Sequence, residues 1–142
     1  MAIVNTLSNS WKLAQMSGEV HCREDVFKIA LMTPSFVFNA DTHETWDQVS
    51  GEEIISGNGY VTGGHILVSG ELTQNNTTDQ SIMSWINNYI TAVDGSIAET
   101  GSAIIYDDSN SSDKIMGCSD FGLDYAISSG MSLKFSSIVL KI

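Results

Sequence analysis

The apolar pattern between residues 26 and 32 constrains the fold of this chain more than any other feature. In an extended strand, successive side chains point to opposite faces, so residues two apart share a face. One set comprises Phe27, Ile29 and Leu31, and the other comprises Val26, Lys28, Ala30 and Met32. Pro34 lacks a backbone N–H and restricts the backbone, so the strand ends or turns there. The pattern therefore predicts a β-strand rather than a helix.

A polar loop and a run of glycines link this strand to a second predicted strand. The loop covers residues 39–47, and the glycines punctuate residues 57–64. The second strand is predicted over residues 65–72, where Ile66, Val68 and Leu72 share one parity. The whole unit is expected to be strand, long ordered loop, glycine turns, strand.

A short helix is predicted over residues 10–17. The apolar residues Leu7, Trp11 and Ala14 recur at helical spacing. Gly18 follows at the position where glycine ends many helices. We expect residues 1–9 to form a flexible N-terminal segment.

Residues 79–95 combine helical spacing with a strand-like composition. Apolar residues recur at intervals of three and four, but many of them are β-branched, and β-branched residues lose rotamer freedom in helices. The composition favours two short strands with a turn near Asn87–Asn88.

The remainder of the chain predicts further strands. Residues 102–107 are apolar on both parities, which is typical of a central strand covered on both faces. Residues 114–118 predict another strand, followed by a turn at Asp120–Gly122. Residues 131–142 predict a last strand, whose apolar parity changes at Ser136–Ser137 and indicates a bulge or bend.

About eight strands and one short N-terminal helix predict an all-β protein, with a jelly-roll-like sandwich or barrel as the expected architecture. A chain of 142 residues fits a single β domain over residues 1–142.

The formal net charge of −11 argues against nucleic-acid binding, because like charges repel phosphate. Residues 24–54 hold seven acidic side chains and one lysine, and residues 106–124 hold five acidic side chains and one lysine. Acidity that only keeps a β protein soluble is the alternative interpretation.

The sequence predicts synthesis in a reducing cytoplasm and no membrane partner. The N-terminus has no basic region followed by an apolar core, and no apolar run approaches the ~20 residues of a membrane helix. In a reducing compartment, Cys22 and Cys118 are expected to stay unpaired.

The sequence contains no familiar catalytic, metal-binding or dinucleotide-binding motif. Asp41, His43, Glu44 and His65 could be assembled into a metal site, but three of the four lie in one loop of mixed parity. The glycines at 57–64 do not fit the dinucleotide pattern and precede no helix. We therefore predict no catalytic residue, no metal site and no cofactor, and a protein that is not an enzyme.

Several segments occur in an order that resembles a family of small tailed-bacteriophage virion proteins. They are FKIAL, DTHETWD, SGEEIISGNGYVTGGHIL, AIIYDD and DFG, and the resemblance covers roughly residues 10–125. It implies a structural role in the virion. The version we favour is a capsid decoration (cement) protein on the outer capsid surface, and a tail- or fibre-associated module that recognises a host surface is the alternative.

This resemblance implies the major capsid protein as the partner and self-association into dimers or trimers. The expected protein-contact residues are Trp11 near the N-terminus and Asp41, His43 and Trp46 in the 39–47 loop. Packing within its own chain is the alternative for each of them, and the favoured one for Trp46.

Overall fold

The structure is a computed structural model that describes residues 3–109 and 111–142. The described residues form eight β-strands and one α-helix, which confirms the predicted all-β sandwich. The helix is α1 (Asn9–Ser17), and the strands are β1 (Val4–Leu7), β2 (Phe27–Met32), β3 (His65–Ile66), β4 (Gly70–Asn75), β5 (Gln80–Thr91), β6 (Ile97–Asp107), β7 (Ile115–Ile127) and β8 (Ser132–Lys141). Two short 3-10 helices, Trp46–Gln48 and Ser50–Glu52, lie between β2 and β3.

The strands form two antiparallel sheets around a shared hydrophobic core. The first sheet has the order β1-β7-β6-β2-β3, and the second has the order β4-β5-β8. In the core, the ring of Phe27 on β2 lies edge-on to Trp11 of α1 at 5.7 Å and to Trp85 of β5 at 5.4 Å between centroids. Such aromatic pairs stabilise a core by about 0.5–1.5 kcal/mol beyond the burial of their area. Phe27 thus links the helix to both sheets.

A second apolar cluster covers the outer face of the five-stranded sheet. Its buried members are Ala30, Met32, Val49, Ile104, Tyr106, Ile115 and Cys118. Phe36, Phe38 and Trp46 from the segment between β2 and β3 pack against it. The prediction that residues 102–107 form a strand covered on both faces is therefore confirmed, because β6 has buried side chains of both parities.

The N-terminal residues are more ordered than predicted. Residues 4–7 form β1, which pairs with β7 from Val4↔Asp120 to Leu7↔Gly117. Leu7 and Ser8 are buried. The prediction of a flexible segment over residues 1–9 is wrong for residues 4–9, because strand pairing fixes β1 and α1 begins at Asn9. Met1 and Ala2 lie outside the described residues.

The predicted helix is confirmed, and Gly18 ends it with a left-handed φ of 77°.

Residues 80–91 form the single strand β5, so the predicted pair of short strands with a turn at Asn87–Asn88 is wrong. The side chains that face the core have odd numbers before residue 86, at Met83 and Trp85, and even numbers after residue 87, at Asn88 and Ile90. The paired strand β8 changes face opposite this point, at Ser136–Ser137, which confirms the predicted irregularity there. Because both strands change face together, they keep one register. The change of parity in β5 also explains why its sequence imitates helical spacing.

The predicted strand over residues 65–72 divides between the two sheets. Only His65–Ile66 pairs with β2, and the chain passes through Ser69, with a φ of 60°, before β4 starts at Gly70. Leu67 is buried between them, whereas Ile66 and Val68 are exposed. The prediction of one continuous strand is therefore wrong, because this segment is where the chain crosses from one sheet to the other.

The turn predicted at Asp120–Gly122 is wrong, because it lies inside β7. The register between β6 and β7 shifts between Thr100↔Tyr125 and Ser102↔Asp120, which marks a bulge on β7. Gly122 has a φ of 77°, and its N–H donates to Asp120 Oδ1 at 2.9 Å. The turn signal in the sequence is thus satisfied by a bulge, and the strand continues to Ile127.

Candidate protein-contact site

The structure brings together the two segments from which contact residues were predicted. The backbone N–H of Asn9 donates to Ala40 O at 3.0 Å, and its side chain Nδ2 donates to Asp41 Oδ1 at 2.6 Å. Ser8 Oγ donates to His43 O at 2.9 Å. These bonds fasten the start of α1 to the 39–47 loop, so the helix and the loop form one continuous surface.

Trp11 is buried beneath this surface rather than exposed on it. Its side chain is 0% exposed, and its ring packs against Phe27. The prediction that Trp11 contacts another protein is therefore wrong, because a partner cannot reach it in this fold. The helical recurrence of Leu7, Trp11 and Ala14 marked the inward face of α1, and all three are buried.

The outward face of α1 carries two large apolar side chains that sequence reasoning did not single out. Leu13 is 69% exposed and Met16 is 90% exposed. Together with Asn9 they lie at positions i, i+4 and i+7, which share one helix face. We name these three residues the α1 ridge. Its signal was readable from the sequence, because a helix that buries residues 11 and 14 must turn residues 13 and 16 outward.

His43 is half-buried and held in a fixed position on the loop. Its ring lies at 5.7 Å from Phe36, nearly parallel at 22°, and at 5.6 Å from Phe38. Its Nδ1 accepts a hydrogen bond from the backbone N–H of Asn39 at 3.0 Å. Asp41 is exposed, and its own N–H donates to Asn39 Oδ1 at 2.9 Å. The loop thus presents a rigid carboxylate beside the α1 ridge.

Trp46 packs mainly against its own chain. Its ring stacks on Tyr106 at 4.8 Å between centroids and 8° between planes, and its backbone N–H donates to Asp113 O at 2.9 Å. It is half-buried as part of the second apolar cluster. Packing within the chain therefore explains why a tryptophan occupies this position.

The residues considered for a metal site do not converge. In residues 3–109 and 111–142, no group of three or more His, Cys, Asp or Glu side chains could hold a metal ion. His65 instead lies beside Tyr60, with ring centroids 5.7 Å apart. Its Nε2 is buried without a hydrogen-bond partner, and burial lowers the pKa of His65.

A hydrogen-bond network that the sequence did not reveal holds the glycine segment against the first sheet. Tyr60 Oη donates to Glu53 Oε2 at 2.7 Å and accepts the backbone N–H of Leu31 at 2.9 Å. The N–H of Gly63 donates to the same Glu53 oxygen at 2.9 Å, and Tyr106 Oη donates to Gly63 O. Burial raises the pKa of Tyr60, and the hydrogen bond to Glu53 raises it further. This phenol therefore stays protonated and serves as a structural donor.

The two cysteines are buried and unpaired. Burial, together with the smaller effect of the nearby charge of Asp120, raises the pKa of the Cys118 thiol to about 12. Burial also raises the pKa of Cys22. Since the thiolate is the reactive form, neither side chain has the character of a nucleophile.

Among the described residues, none of the helices is long and apolar enough to cross a membrane. Comparison of the chain with protein-family models, curated proteins and solved structures gave no match.

Proposed function

We propose that this chain is a non-enzymatic virion protein of a tailed bacteriophage, which binds the outer surface of the capsid as a decoration (cement) protein. The observation that carries the proposal is the α1 ridge, which exposes Leu13 and Met16 on a helix that the 39–47 loop holds rigid. The order of segments that resembles small phage virion proteins supports the choice of partner.

The α1 ridge suits a contact that works through buried area. Burying a leucine or methionine side chain stabilises a complex by about 1.5–3 kcal/mol. Asp41 lies beside the ridge, and its exposed carboxylate favours a cation on the partner. The capsid surface that fits is therefore an apolar depression with a lysine or arginine at its rim.

The charge of the chain suits the outside of a shell. With a net charge of −11, the protein is repelled by packaged DNA and is not drawn toward the shell interior. A protein that binds only the assembled shell stabilises the assembled state by mass action. A lattice of weak sites then adds up to a large effect on the shell, even when each copy binds modestly.

The titratable groups support a structural role rather than catalysis. Glu53 already accepts hydrogen bonds from Tyr60 and Gly63, and these fix the glycine segment. Asp107 is buried on β6 and accepts the backbone N–H of Ser109 at 2.9 Å. Both carboxylates thus have local structural partners.

The test compares binding to purified expanded shells that lack this protein. Leu13→Lys places a charge on the α1 ridge, and we expect it to weaken co-sedimentation at least about tenfold, which corresponds to about 1.4 kcal/mol. Ile55→Lys is the matched control, because Ile55 is 79% exposed in the segment between β2 and β3 and lies outside the ridge. Equal binding by Leu13→Lys and the unaltered protein would refute the role of the ridge.

A further inference from the structure

The outer faces of the two sheets differ in how they are covered. The segment between β2 and β3 packs Phe36, Phe38 and Trp46 over the five-stranded sheet. On the three-stranded sheet, large side chains of the central strand β5 are open to solvent, with Ile86 49% exposed and Tyr89 53% exposed. Ile82 on β5 and Val139 on β8 are half-buried on the same face. We name this surface, formed by the outward side chains of β4, β5 and β8, the β5 face.

The charge on the β5 face is opposite in sign to that of the chain. Strand pairing places Lys141 level with Ile82 and Lys134 level with Tyr89, both on β8. Lys134 Nζ lies 5.6 Å from the centroid of the Tyr89 ring, which holds its charge over the face. Across the outward positions of these three strands, Glu71 on β4 is the one acidic side chain. The β5 face is thus slightly cationic on a chain of net charge −11.

We infer that two copies of this chain associate through their β5 faces. Two molecules of net charge −11 repel each other through their acidic surfaces, and the β5 face, which carries two lysines and one glutamate, adds little to that repulsion. Pairing these faces also covers the apolar side chains of β5 on both copies. The partner is therefore a second copy of the chain, and the inference does not depend on the capsid.

Charge complementarity selects one arrangement of the two copies. A two-fold axis parallel to β5 stacks β4 of one copy over β8 of the other. Within one copy, Glu71 on β4 is level with Val139 on β8. Lys141 lies two residues beyond Val139, which is about 7 Å along the strand. Glu71 of one copy then meets Lys141 of the other, and symmetry makes this pair twice. An axis perpendicular to the strands would stack β8 on β8 and bring lysines toward lysines.

The size of the β5 face indicates a weak dimer. Its three strands β4, β5 and β8 have 6, 12 and 10 residues. At about 3.4 Å per residue and about 4.8 Å between strands, they cover about 450 Å² on each copy, or about 900 Å² for the pair. Interfaces below about 1,200 Å² in total are typical of weak or transient complexes, so the expected dimer is concentration-dependent rather than obligate.

Sedimentation equilibrium of the purified chain across a range of concentrations tests this inference without any shell. The unaltered protein is expected to show a monomer–dimer equilibrium. Ile86→Lys adds a charge near the two-fold axis on each copy and should weaken dimerisation at least tenfold. Val37→Lys is the control, since Val37 is 80% exposed outside the β5 face, and it should leave the equilibrium unchanged. A chain that stays monomeric throughout, or an equal loss in both variants, would overturn the inference.

A charge exchange tests the arrangement itself. Lys141→Glu and Glu71→Lys should each weaken the dimer, because each places like charges opposite one another. Combining the two substitutions should restore most of the lost affinity. Failure of the double variant to recover would overturn the stacking of β4 on β8.

Discussion

Tyr60→Phe is the substitution that isolates the network holding the glycine segment. It removes one oxygen atom and keeps the ring, which is 2% exposed in the core. Two hydrogen bonds are lost, namely the one donated to Glu53 Oε2 at 2.7 Å and the one accepted from the Leu31 N–H at 2.9 Å. The N–H of Leu31 is then left buried without that acceptor, and Glu53 keeps only its bond from Gly63.

The cost follows from these two losses. A buried donor without a partner costs about 1–3 kcal/mol, and a hydrogen bond to a charged group contributes about 1.5–3 kcal/mol. Allowing for partial solvation of Glu53, we expect Tyr60→Phe to lower the free energy of unfolding by about 2–4 kcal/mol. For a chain of this size, that corresponds to a fall in Tm of about 7–13 °C.

Chemical denaturation followed by tryptophan fluorescence measures this loss. Tyr125→Phe is the matched control, because Tyr125 is exposed on β7, and removing its hydroxyl should change stability by less than about 0.5 kcal/mol. A loss below about 0.5 kcal/mol in Tyr60→Phe would refute the reasoning, since the Leu31 N–H would then have found another partner.

Two further predictions concern the backbone and the thiols. Gly64→Ala should lower the free energy of unfolding by about 3 kcal/mol or more, because Gly64 has a φ of 90° and an added Cβ would lie 2.2 Å from Ile29 O. Gly51→Ala is the control and should be nearly neutral, because a Cβ added there would meet nothing within 4 Å. Urea denaturation of both variants checks this, and equal stabilities would contradict it. The raised pKa of Cys118 means that its contribution to stability is complete below pH 9 and is lost as the pH rises from 9.0 toward about 12. Cys118→Ala should therefore lose less stability than the unaltered protein across that range, and parallel pH profiles would contradict the prediction.

The sequence predicted best those strands whose buried side chains follow a local pattern, either strict alternation or burial on both faces. The alternation at Phe27, Ile29 and Leu31 located β2, and all three side chains are buried. The doubly apolar run at residues 102–107 predicted a strand covered on both faces, although β6 begins earlier, at Ile97. These patterns are local, so the sequence displays them directly.

Other elements depend on partners far away in the chain. Residues 4–7 have no distinctive pattern, and they form a strand because β7, more than 100 residues later, offers a free edge. The helical spacing in residues 80–91 misled the prediction because β5 changes face at residues 86 and 87, opposite a matching change in β8. Single-sequence periodicity cannot separate a helix from a strand that changes face.

The contact role of the candidate site stays a prediction. The 39–47 loop and the N-terminal segment were both expected to carry contacts, and Asn9 joins them through Ala40 and Asp41. The choice of Trp11 was wrong because a large aromatic side chain signals burial as strongly as contact. The network of Glu53 and Tyr60 could not be foreseen, since its members meet only after the segment has folded over β2.

The number of copies bound at saturation to expanded shells that lack this protein tests the central claim most directly. The account predicts saturation at a fixed ratio, near one copy per capsid subunit or a simple fraction of it. A bound shell should then also resist rupture by heat or low ionic strength better than a bare shell. No binding, or only a handful of copies per particle, would contradict a decoration protein and direct attention to the tail and the host surface.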